Sequence, residues 1–395
     1  NWGEPERMIL TSDNIITVQD IADACGVSKT TAASALRGDP RVKRATRERI
    51  SAKAIEMGYD PSLHQAARRL ALRKHGRDVL NHIIAIAMPN GFYEIPYYTA
   101  ILHGVYRELI SANWGLLTLP DGPSIDAHDE NVILPSLRRG DVDGVITPGY
   151  PEKMLQLMQR LQTETKIAPK PVVSMFWEAA GCPAVLADDE HTGYQAMSHL
   201  LDLGHRHIVQ FVFRNEAGDP DSKRLLGARK AMQERGLDPD RYLHPYAMVG
   251  SWLNPWISDP IMRERTREEM AEEEERFLTT LRAYPEVTGI ITLNDPSAIY
   301  TWYTLQHLGY RIPEDMSIVS CDDTNPKLDE QGNNQLTTVR LPLAEMGGAA
   351  ARILLDLLSG NTVEQNRVIF PTELIARGST APPRVAALPC ADSSL

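Results

Sequence analysis

The sequence predicts a small all-α domain followed by a large α/β body built on parallel sheets. Charge is divided in the same way: residues 17–77 carry 13 Lys and Arg against 6 Asp and Glu, whereas residues 78–395 carry 27 against 43. The first segment contains only short helical patterns, and from His82 onward short apolar runs alternate with amphipathic stretches. A chain of 395 residues with 43% apolar residues has room for two or three domains with cores of their own.

The first helix is predicted to begin after Thr17. Residues 17–20 (TVQD) have the form of a capping box, in which the N-cap hydroxyl and an acid three residues later each bond a backbone N–H of the other. Gly26 can take a positive φ, so the helix is expected to end there.

A second helix is predicted from Lys29 to about Leu36, with Ser28 as its N-cap. Its outer face has no large apolar residue and consists of Lys29, Thr30, Thr31, Ala33 and Ser34. A helix with so little to bury is expected to contact something other than its own core.

Two short helices joined by a tight turn, with a third from about Arg44 to Met57, indicate a helix-turn-helix headpiece. The second helix of such a unit enters the major groove of DNA, where small and polar side chains fit against base edges and phosphates. The positive charge of residues 17–77 is typical of a segment that approaches a polyanion. We therefore expect double-stranded DNA as a partner, contacted through Thr17, Ser28, Lys29, Thr30, Thr31 and Ser34.

The body is predicted to hold two parallel sheets. Its apolar runs are HIIAIAMP (82–89), WGLLTL (114–119), VDGVITPG (142–149), PVVSMF (171–176), HIVQFVF (207–213), VTGIITL (287–293) and MSIVSCDD (316–323). Helices are predicted at 97–112, 154–162, 225–236 and 298–309. Strands that are apolar throughout and alternate with helices indicate parallel sheets covered on both faces, which bind ligands at the carboxyl ends of their strands. The charged stretch 262–277 is typical of a solvated helix with i,i+4 ion pairs.

Several classes of protein are not favoured. No run of eighteen apolar residues is present, so no membrane span is expected. The N-terminus lacks a basic stretch followed by an apolar one, and the four cysteines lie far apart, which together favour a reducing cytoplasm without disulfides, metal or cofactor. No G-x-S-x-G, phosphate-binding glycine loop or H-E-x-x-H is present. An α/β enzyme would leave the basic headpiece unexplained, and a transport-type solute-binding protein would need export.

The motifs resemble the lactose/galactose repressor (LacI/GalR) family of bacterial transcriptional regulators. In the headpiece these are TVQDIADACGVSKTT (17–31), VKRATRERI (42–50) and MGYDP (57–61). In the body they are HLLDLGHRHI (199–208), SKRLLGARKAM (222–232), LNDPSAIY (293–300), IPEDMSIVSCDD (312–323), LTTVRLPLAEMG (336–347) and LIARGST (374–380). The resemblance implies a helix-turn-helix headpiece plus a periplasmic-binding-protein-like effector domain of two α/β lobes, between which the chain crosses three times.

The resemblance also implies a hinge helix that inserts a leucine into the minor groove at the centre of a palindromic operator. Arg68 and Arg69 would then contact phosphates, and Leu70 is the candidate wedge, with Leu63 as the alternative. The chain departs from the family at residues 31–34, where the family usually has TVSR, and at Lys43, where it usually has Ser. The docking mode therefore carries over without a specific base code.

Family ligand positions fall on Arg224, Asn294 and Asp322. A guanidinium, an amide and a carboxylate suit the vicinal hydroxyls of a sugar. Asp188 or Asp189 would add an acceptor, and the spacing leaves both open. Tyr97, Tyr98 and Trp177 would supply aromatic faces. A sugar or sugar derivative is the leading effector class and a purine-like molecule the second, and both inducer and corepressor action remain open.

The resulting prediction is a homodimeric, ligand-responsive transcriptional regulator, most simply a repressor. Its predicted parts are an N-terminal extension (1–16) that need not all be native, a headpiece (17–62), a hinge and linker (63–78), an effector-binding and dimerisation domain (79–380) and a flexible tail (381–395).

Overall fold

The computed structural model describes residues 16–36, 39–59, 80–88, 92–120, 135–149, 151–165, 168–212, 220–247, 260–361 and 366–384. They fall into two compact units, one within residues 1–81 and one within residues 82–395. The first unit is all-α and the second α/β, which confirms the predicted fold class. Within the described residues, no helix combines the length and apolarity needed to cross a membrane.

Three helices form the headpiece: α1 (Val18–Cys25), α2 (Lys29–Leu36) and α3 (Arg44–Glu56). The predicted capping box is present, because Thr17 N donates to Asp20 Oδ2 at 2.7 Å and Asp20 N donates to Thr17 Oγ1 at 3.3 Å. Gly26 ends α1 with a φ of 62°. The headpiece core is small and consists of Ile21, Ala35, Ile50 and Ala54.

The second unit begins with an alternation of strands and helices. Its first elements are β1 (Ile83–Met88), α4 (Pro96–Ser111), β2 (Gly115–Pro120), α5 (Pro135–Arg139), β3 (Gly144–Thr147), α6 (Pro151–Thr165), β4 (Val172–Met175) and β5 (Ala184–Ala187).

A second alternation follows. Its elements are α7 (Asp189–Leu203), β6 (His207–Val212), α8 (Pro220–Glu234), α9 (Pro239–Tyr242), β7 (Leu243–Ala247), α10 (Pro260–Ala283), β8 (Val287–Ile291), α11 (Asp295–His307), β9 (Ser317–Asp322) and β10 (Thr337–Arg340). The chain closes with α12 (Leu343–Leu358), β11 (Arg367–Phe370) and β12 (Glu373–Ile375).

These strands make two six-stranded sheets. The first lobe has the order β11-β5-β4-β3-β1-β2, and the second has β12-β10-β9-β8-β6-β7. Every described pairing between these strands is parallel except that of β12, which runs antiparallel to β10. The chain passes between the lobes after β5, after β10 and after β11, which agrees with the three crossings implied by the family resemblance.

Each sheet is covered on both faces, as the apolar strands predicted. In β1, Ile84, Ile86 and Met88 face one core while Ala85 and Ala87 face another. The second lobe divides its buried residues in the same way. This arrangement leaves the carboxyl ends of the strands as the open edges at which a ligand can bind.

The ordered domain extends beyond the predicted boundary at residue 380. Ala381 accepts a bond at its carbonyl from Ser317 Oγ at 3.1 Å, and this carbonyl lies 2.9 Å from His205 Nε2. Arg384 pairs with Asp315 at 3.1 Å. These contacts fix the first residues of the segment that the sequence had assigned to a flexible tail, and residues 385–395 lie outside the described residues.

Candidate functional site

The exposed face of α2 begins at its N-cap, as predicted. Ser28 Oγ accepts a bond from the backbone N–H of Thr31 at 3.1 Å. Ser28, Lys29 and Thr30 are exposed, whereas Ala32 and Ala35 are buried. A helix start presents unbonded N–H groups and the positive end of its dipole, both of which favour a phosphate. The surface that α2 offers is therefore polar, unobstructed by large side chains and suited to a DNA groove.

The remaining headpiece candidates are less exposed. Thr31 and Ser34 are half-buried. Thr17 is also half-buried, and its hydroxyl donates to Asp20 Oδ2 at 2.7 Å, so this side chain already serves as the cap of α1. Arg68, Arg69 and Leu70, together with the alternative wedge Leu63, lie outside the described residues.

The predicted effector residues lie where strands end or where the following helices begin. Asp322 is the last residue of β9, and Asn294 caps α11 shortly after β8. Asp188 and Asp189 follow β5 at the start of α7, and Trp177 follows β4. Tyr97 and Tyr98 lie in the first turn of α4. This is the edge at which parallel sheets bind ligands.

Arg224 and Asp189 form a largely buried ion pair in the second lobe. Arg224 Nε donates to Asp189 Oδ1 at 2.9 Å, and Arg224 NH1 donates to the carbonyl of Leu293 at 3.1 Å. The exposed fractions of the two side chains are 15% for Arg224 and 3% for Asp189. Burial raises the pKa of Asp189, and the charge of Arg224 opposes that shift. The guanidinium is thus held in a fixed direction, as a ligand-binding group requires.

The first lobe contributes aromatic side chains. Tyr97 lies edge-on to Tyr98 with ring centroids 5.2 Å apart, and 5.5 Å from the ring of Phe176. Tyr97, Tyr98 and Trp177 are partly buried against the core of this lobe. The carbonyl of Trp177 accepts a bond from Ser174 Oγ at 2.6 Å, which fixes the backbone after β4.

Charged residues of the second lobe affect the pKa of Tyr97 in the first lobe. Burial raises the pKa of Tyr97 well above its ordinary value, and the negative charge of Asp322 adds to this effect. Asp189 acts in the same direction, whereas Arg224 lowers this pKa. A tyrosine of the first lobe therefore lies within reach of three charged groups of the second. The charges of Asp322, Asp189 and Arg224 all act on Tyr97, and Arg224 is bonded to Asp189, so these four candidate residues form one electrostatically connected group.

Asn294 and Asp188 are N-cap residues of α11 and α7. Asn294 Oδ1 accepts from Ser297 N at 3.0 Å, while the side-chain NH2 of Asn294 is not part of this capping box. Asp188 Oδ1 accepts from His191 N at 3.0 Å. Asp188 also borders a surface groove whose other lining residues are Glu190, His191, Tyr194, Lys230 and Glu234. Of the two aspartates that the spacing left open, Asp189 is the one that contacts Arg224.

Three residues near the cleft were not predicted. Phe176 contacts Tyr97 and has a φ of 67°, a backbone conformation that the sequence pattern did not predict. Asp323 pairs with Arg340 at 2.7 Å and with Arg377 at 2.8 Å. Asp295 is 1% exposed and lies between Asn294 and the end of β9. In the sequence, the acids next to candidate ligands in LND (293–295) and CDD (321–323) were the signal that could have indicated Asp295 and Asp323. Within the described residues, no cluster of three or more His, Cys, Asp or Glu side chains could hold a metal ion.

Three family descriptions match the chain. Residues 17–62 match "Bacterial regulatory proteins, lacI family", and residues 81–249 match "Periplasmic binding proteins and sugar binding domain of LacI family". Residues 197–380 match "Periplasmic binding protein-like domain". The two LacI descriptions together cover more than half of the chain.

Known proteins resemble the chain over nearly its whole length. The HTH-type transcriptional regulator DegA of Bacillus subtilis is 27% identical over 93% of this chain and 98% of its own. A structure of the transcriptional regulator CelR in complex with cellobiose is 22% identical, with a TM-score of 0.58, over 92% of this chain and 99% of its own. The lac repressor dimer bound to operator and the anti-inducer ONPF is 18% identical, with a TM-score of 0.64, over 93% of this chain and 99% of its own.

The headpiece, the two-lobed body and these similarities agree with one another. Curated relatives carry the names of transcriptional regulators, and none of those compared above is an enzyme. The chain belongs to the LacI family of bacterial regulatory proteins and is a ligand-responsive transcriptional regulator.

Proposed function

We propose that the protein is a homodimeric repressor that binds a palindromic operator and takes a sugar or sugar derivative as its effector. The observation that carries the proposal is that Asp322, Asp189 and Arg224 of the second lobe all act electrostatically on Tyr97 of the first, while Arg224 is held by its bond to Asp189. A ligand that contacts both sets of residues binds one arrangement of the lobes better than another. That difference in affinity is what allosteric coupling requires.

The chemistry of these groups favours a saccharide. Arg224 offers fixed donors, and Asp322 and Asp189 offer acceptors, so a pair of neighbouring hydroxyls can both donate and accept. The rings of Tyr97, Tyr98 and Trp177 provide apolar faces for a sugar ring. The cellobiose complex of the similar regulator CelR supports this class of ligand.

DNA binding is assigned to the exposed start of α2. Lys29 and Thr30 would reach base edges, while Ser28 and the helix start would bind phosphate. Arg68 and Arg69 would contact phosphates near the wedge, Leu70 or alternatively Leu63. Sequence specificity then resides in α2, and affinity common to all sequences resides in the arginines.

Exposed apolar side chains on both lobes support the homodimer. Tyr106 and Ile110 lie one turn apart on α4 and are 54% and 57% exposed. Leu226 on α8 is 59% exposed. A second copy of the chain would cover them, so Ile110→Glu should lower the dimer fraction in sedimentation experiments, whereas Ile55→Glu in the headpiece should not.

Thermal-shift screening of the full chain against monosaccharides, oligosaccharides and nucleobases tests the effector class. A saccharide should raise the unfolding temperature, and Arg224→Ala or Asp322→Ala should remove that shift. Arg352→Ala is the matched control, because Arg352 pairs at 2.6 Å with Glu108, a residue of α4 outside the cleft set. A shift that survives in Arg224→Ala and Asp322→Ala would contradict this site, and a response to nucleobases alone would contradict the sugar class.

Operator selection by the full chain tests the headpiece. Lys29→Ala should change which bases are preferred, and Arg68→Ala should weaken all sequences about equally. Lys53→Ala is the control, because Lys53 lies on α3 and pairs with Glu56 at 2.6 Å. If Lys29→Ala and Arg68→Ala both bind every duplex like the parent, the assignment is wrong. Adding the saccharide to the parent complex shows whether it acts as inducer or corepressor.

A further inference from the structure

Asp295 is a buried carboxylate whose two oxygens are both occupied. Oδ1 accepts from Ser320 Oγ at 2.7 Å and from Thr338 Oγ1 at 3.1 Å. Oδ2 accepts from the backbone N–H groups of Thr324 at 2.6 Å and Asn325 at 3.0 Å. One side chain at the start of α11 thus binds β9, β10 and the segment that leaves β9.

The segment that leaves β9 has an unfavourable backbone. Asp322 has a φ of 101° and Asp323 a φ of 59°. Positive φ values are costly for residues other than glycine and persist only where the surroundings fix them. Asp323 is held by Arg340 and Arg377, and the next two residues are held by Asp295. The conformation of Asp322 therefore depends on bonds made by the residues that follow it.

We propose that Asp295 is a positioning residue that holds residues 322–325 in the strained conformation that directs Asp322 into the cleft. Its neighbour Asn294, the N-cap of α11, is also a candidate ligand, so Asp295 also sets the spacing between two candidate ligand positions. The consequence for effector affinity rests on the proposed function. The positioning itself does not, since it concerns only bonds within the chain.

Two substitutions of Asp295 separate positioning from packing. In Asp295→Asn, the amide oxygen can accept from both backbone N–H groups while its NH2 donates to the hydroxyls of Ser320 and Thr338, which can rotate to accept. In Asp295→Ala, the two N–H groups lose their partner. Asparagine should therefore rescue what alanine removes.

Hydrogen–deuterium exchange of the full-length chain without ligand reads the proposed contacts directly. In Asp295→Ala, the amides of Thr324 and Asn325 should exchange roughly 10-fold faster or more, because local opening no longer breaks a bond to the carboxylate. In Asp295→Asn they should stay within about 3-fold of the parent. Asp329→Ala is the matched control: Asp329 accepts from the backbone N–H groups of Gln331 and Asn333 in an exposed turn, and exchange should increase there alone.

Other outcomes overturn the proposal. Unchanged exchange at residues 322–325 in Asp295→Ala would do so, as would an increase confined to residues 297–299, which would mean that Asp295 acts only on the start of α11. Equal losses in the alanine and asparagine variants would also contradict it. If the alanine variant does not fold, Asp295→Ser takes its place, because its hydroxyl is one bond shorter than the carboxylate and does not reach the two N–H groups, and unchanged exchange at Thr324 and Asn325 in that variant has the same meaning.

The second measurement uses the saccharide that stabilises the parent most in the screen above. Its affinity should fall at least ~10-fold in Asp295→Ala and less than ~3-fold in Asp295→Asn, as expected when a hydrogen-bonding ligand group loses its position. Faster exchange together with parental affinity would leave Asp295 without a role in the cleft and overturn that part of the proposal. If no saccharide binds the parent, the proposed function fails while the exchange experiment still decides the positioning.

Discussion

The two lobes bring different chemistry to the cleft. The first lobe contributes the rings of Tyr97, Tyr98 and Trp177, and the second contributes Asp189, Arg224, Asn294 and Asp322. Ring contacts tolerate small displacements, whereas buried ion pairs and hydrogen bonds depend on direction. In the second lobe, Arg224 is bonded to Asp189, and Asn294 is bonded at the start of α11. On the proposed function, the second lobe orients the ligand and the first lobe supplies ring contacts.

Both lobes use glycines to bring two helices together, but with different results. In the first lobe α4 and α12 meet at Gly104 and Gly347, and a Cβ on Gly104 would overlap the backbone oxygen of Ala344. In the second lobe α7 and α8 meet at Gly193 and Gly227, and a Cβ on Gly193 would overlap the backbone oxygen of Arg224. Only the second contact involves the backbone of a candidate ligand residue.

The largest effect is therefore expected from Gly193→Ala. The added methyl must push away the backbone of Arg224 and so disturb its bond to Asp189. We expect the effector affinity to fall ~100-fold, the range found when a buried charge pair is disturbed. The free energy of unfolding should fall by ~3 kcal/mol because the helix contact is overpacked. Calorimetry and chemical denaturation measure the two changes.

Gly115→Ala is the control for this substitution. The nearest atom to a Cβ on Gly115 is 3.6 Å away, an ordinary contact distance. Its stability should stay within about 0.5 kcal/mol of the parent. Parental effector affinity in Gly193→Ala would mean that Arg224 does not depend on this helix contact.

Gly104→Ala applies the same change to the first lobe. Its free energy of unfolding should also fall by ~3 kcal/mol, since a backbone oxygen is again displaced. The effector affinity should change less than about 3-fold, because the nearest candidate ligands are rings, whose apolar contacts depend less on direction than hydrogen bonds do. An affinity loss as large as that of Gly193→Ala would remove the distinction between the lobes.

Much of the fold was predictable because its signals are local. Uninterrupted apolar runs predicted β1 to β4, β6, β8 and β9, and the box at residues 17–20 together with Gly26 predicted both ends of α1. The strands β5, β7, β10, β11 and β12 were not predicted, because isolated runs of three to five residues carry little pattern of their own.

The residues around the site were less predictable, because their roles depend on contacts distant in sequence. The stretch 262–277 was predicted as a solvated helix, yet Glu273 is 3% exposed and bonded to the hydroxyl of Tyr246. Asp189 was distinguished from Asp188 only by its contact with Arg224, 35 residues away. Asp295 likewise bonds to residues 25 to 43 positions along the chain, a separation that no local motif encodes.

The pH dependence of effector binding should arise in the second lobe. Burial raises the pKa of Asp295 to about 6, although the bonds from Asn325, Ser320, Thr324 and Thr338 lower it. A protonated carboxyl group is partly a donor and cannot accept all four bonds, so the affinity should fall about 10-fold from pH 7.5 to pH 5. Tyr97 stays uncharged over this range because its pKa is raised, not lowered.

The contribution of Asp295 to the free energy of unfolding should change with pH in the opposite direction to its effect on effector affinity. The pKa of Asp295 in the folded chain lies above its ordinary value of 3.8, so the folded state binds the proton more tightly. The contribution of Asp295 to the free energy of unfolding therefore increases as the pH falls through about 6 and is lost as the pH rises through it. Asp295→Asn does not titrate at this position. Asp189, Arg224 and Asp322 are present in both proteins, so the difference between the pH profiles of parent and variant reports on Asp295. An identical pH profile of affinity in parent and variant would exclude Asp295 as the source.

The smallest effect is expected at the ion pair that joins the lobes directly. Glu178 of the first lobe lies 3.3 Å from Lys223 of the second, and their side chains are 46% and 27% exposed. An exposed pair contributes about 0.2–1 kcal/mol, so a double-mutant cycle with Glu178→Gln and Lys223→Gln should give a coupling of roughly 1.5- to 5-fold in effector affinity. Salt should reduce it.

The pair Arg138–Glu164 is the matched control for that cycle. Its atoms are also 3.3 Å apart and its side chains are 40% and 39% exposed, but both residues belong to the first lobe. Neutralising it should leave the effector affinity unchanged, because opening the cleft does not separate its charges. Coupling at Glu178–Lys223 without coupling at Arg138–Glu164 would show that effector binding holds the lobes together. Equal coupling at both pairs would mean that the measured effect is general electrostatics. The only remaining support for different roles of the two lobes would then be Arg224 and its packing against α7.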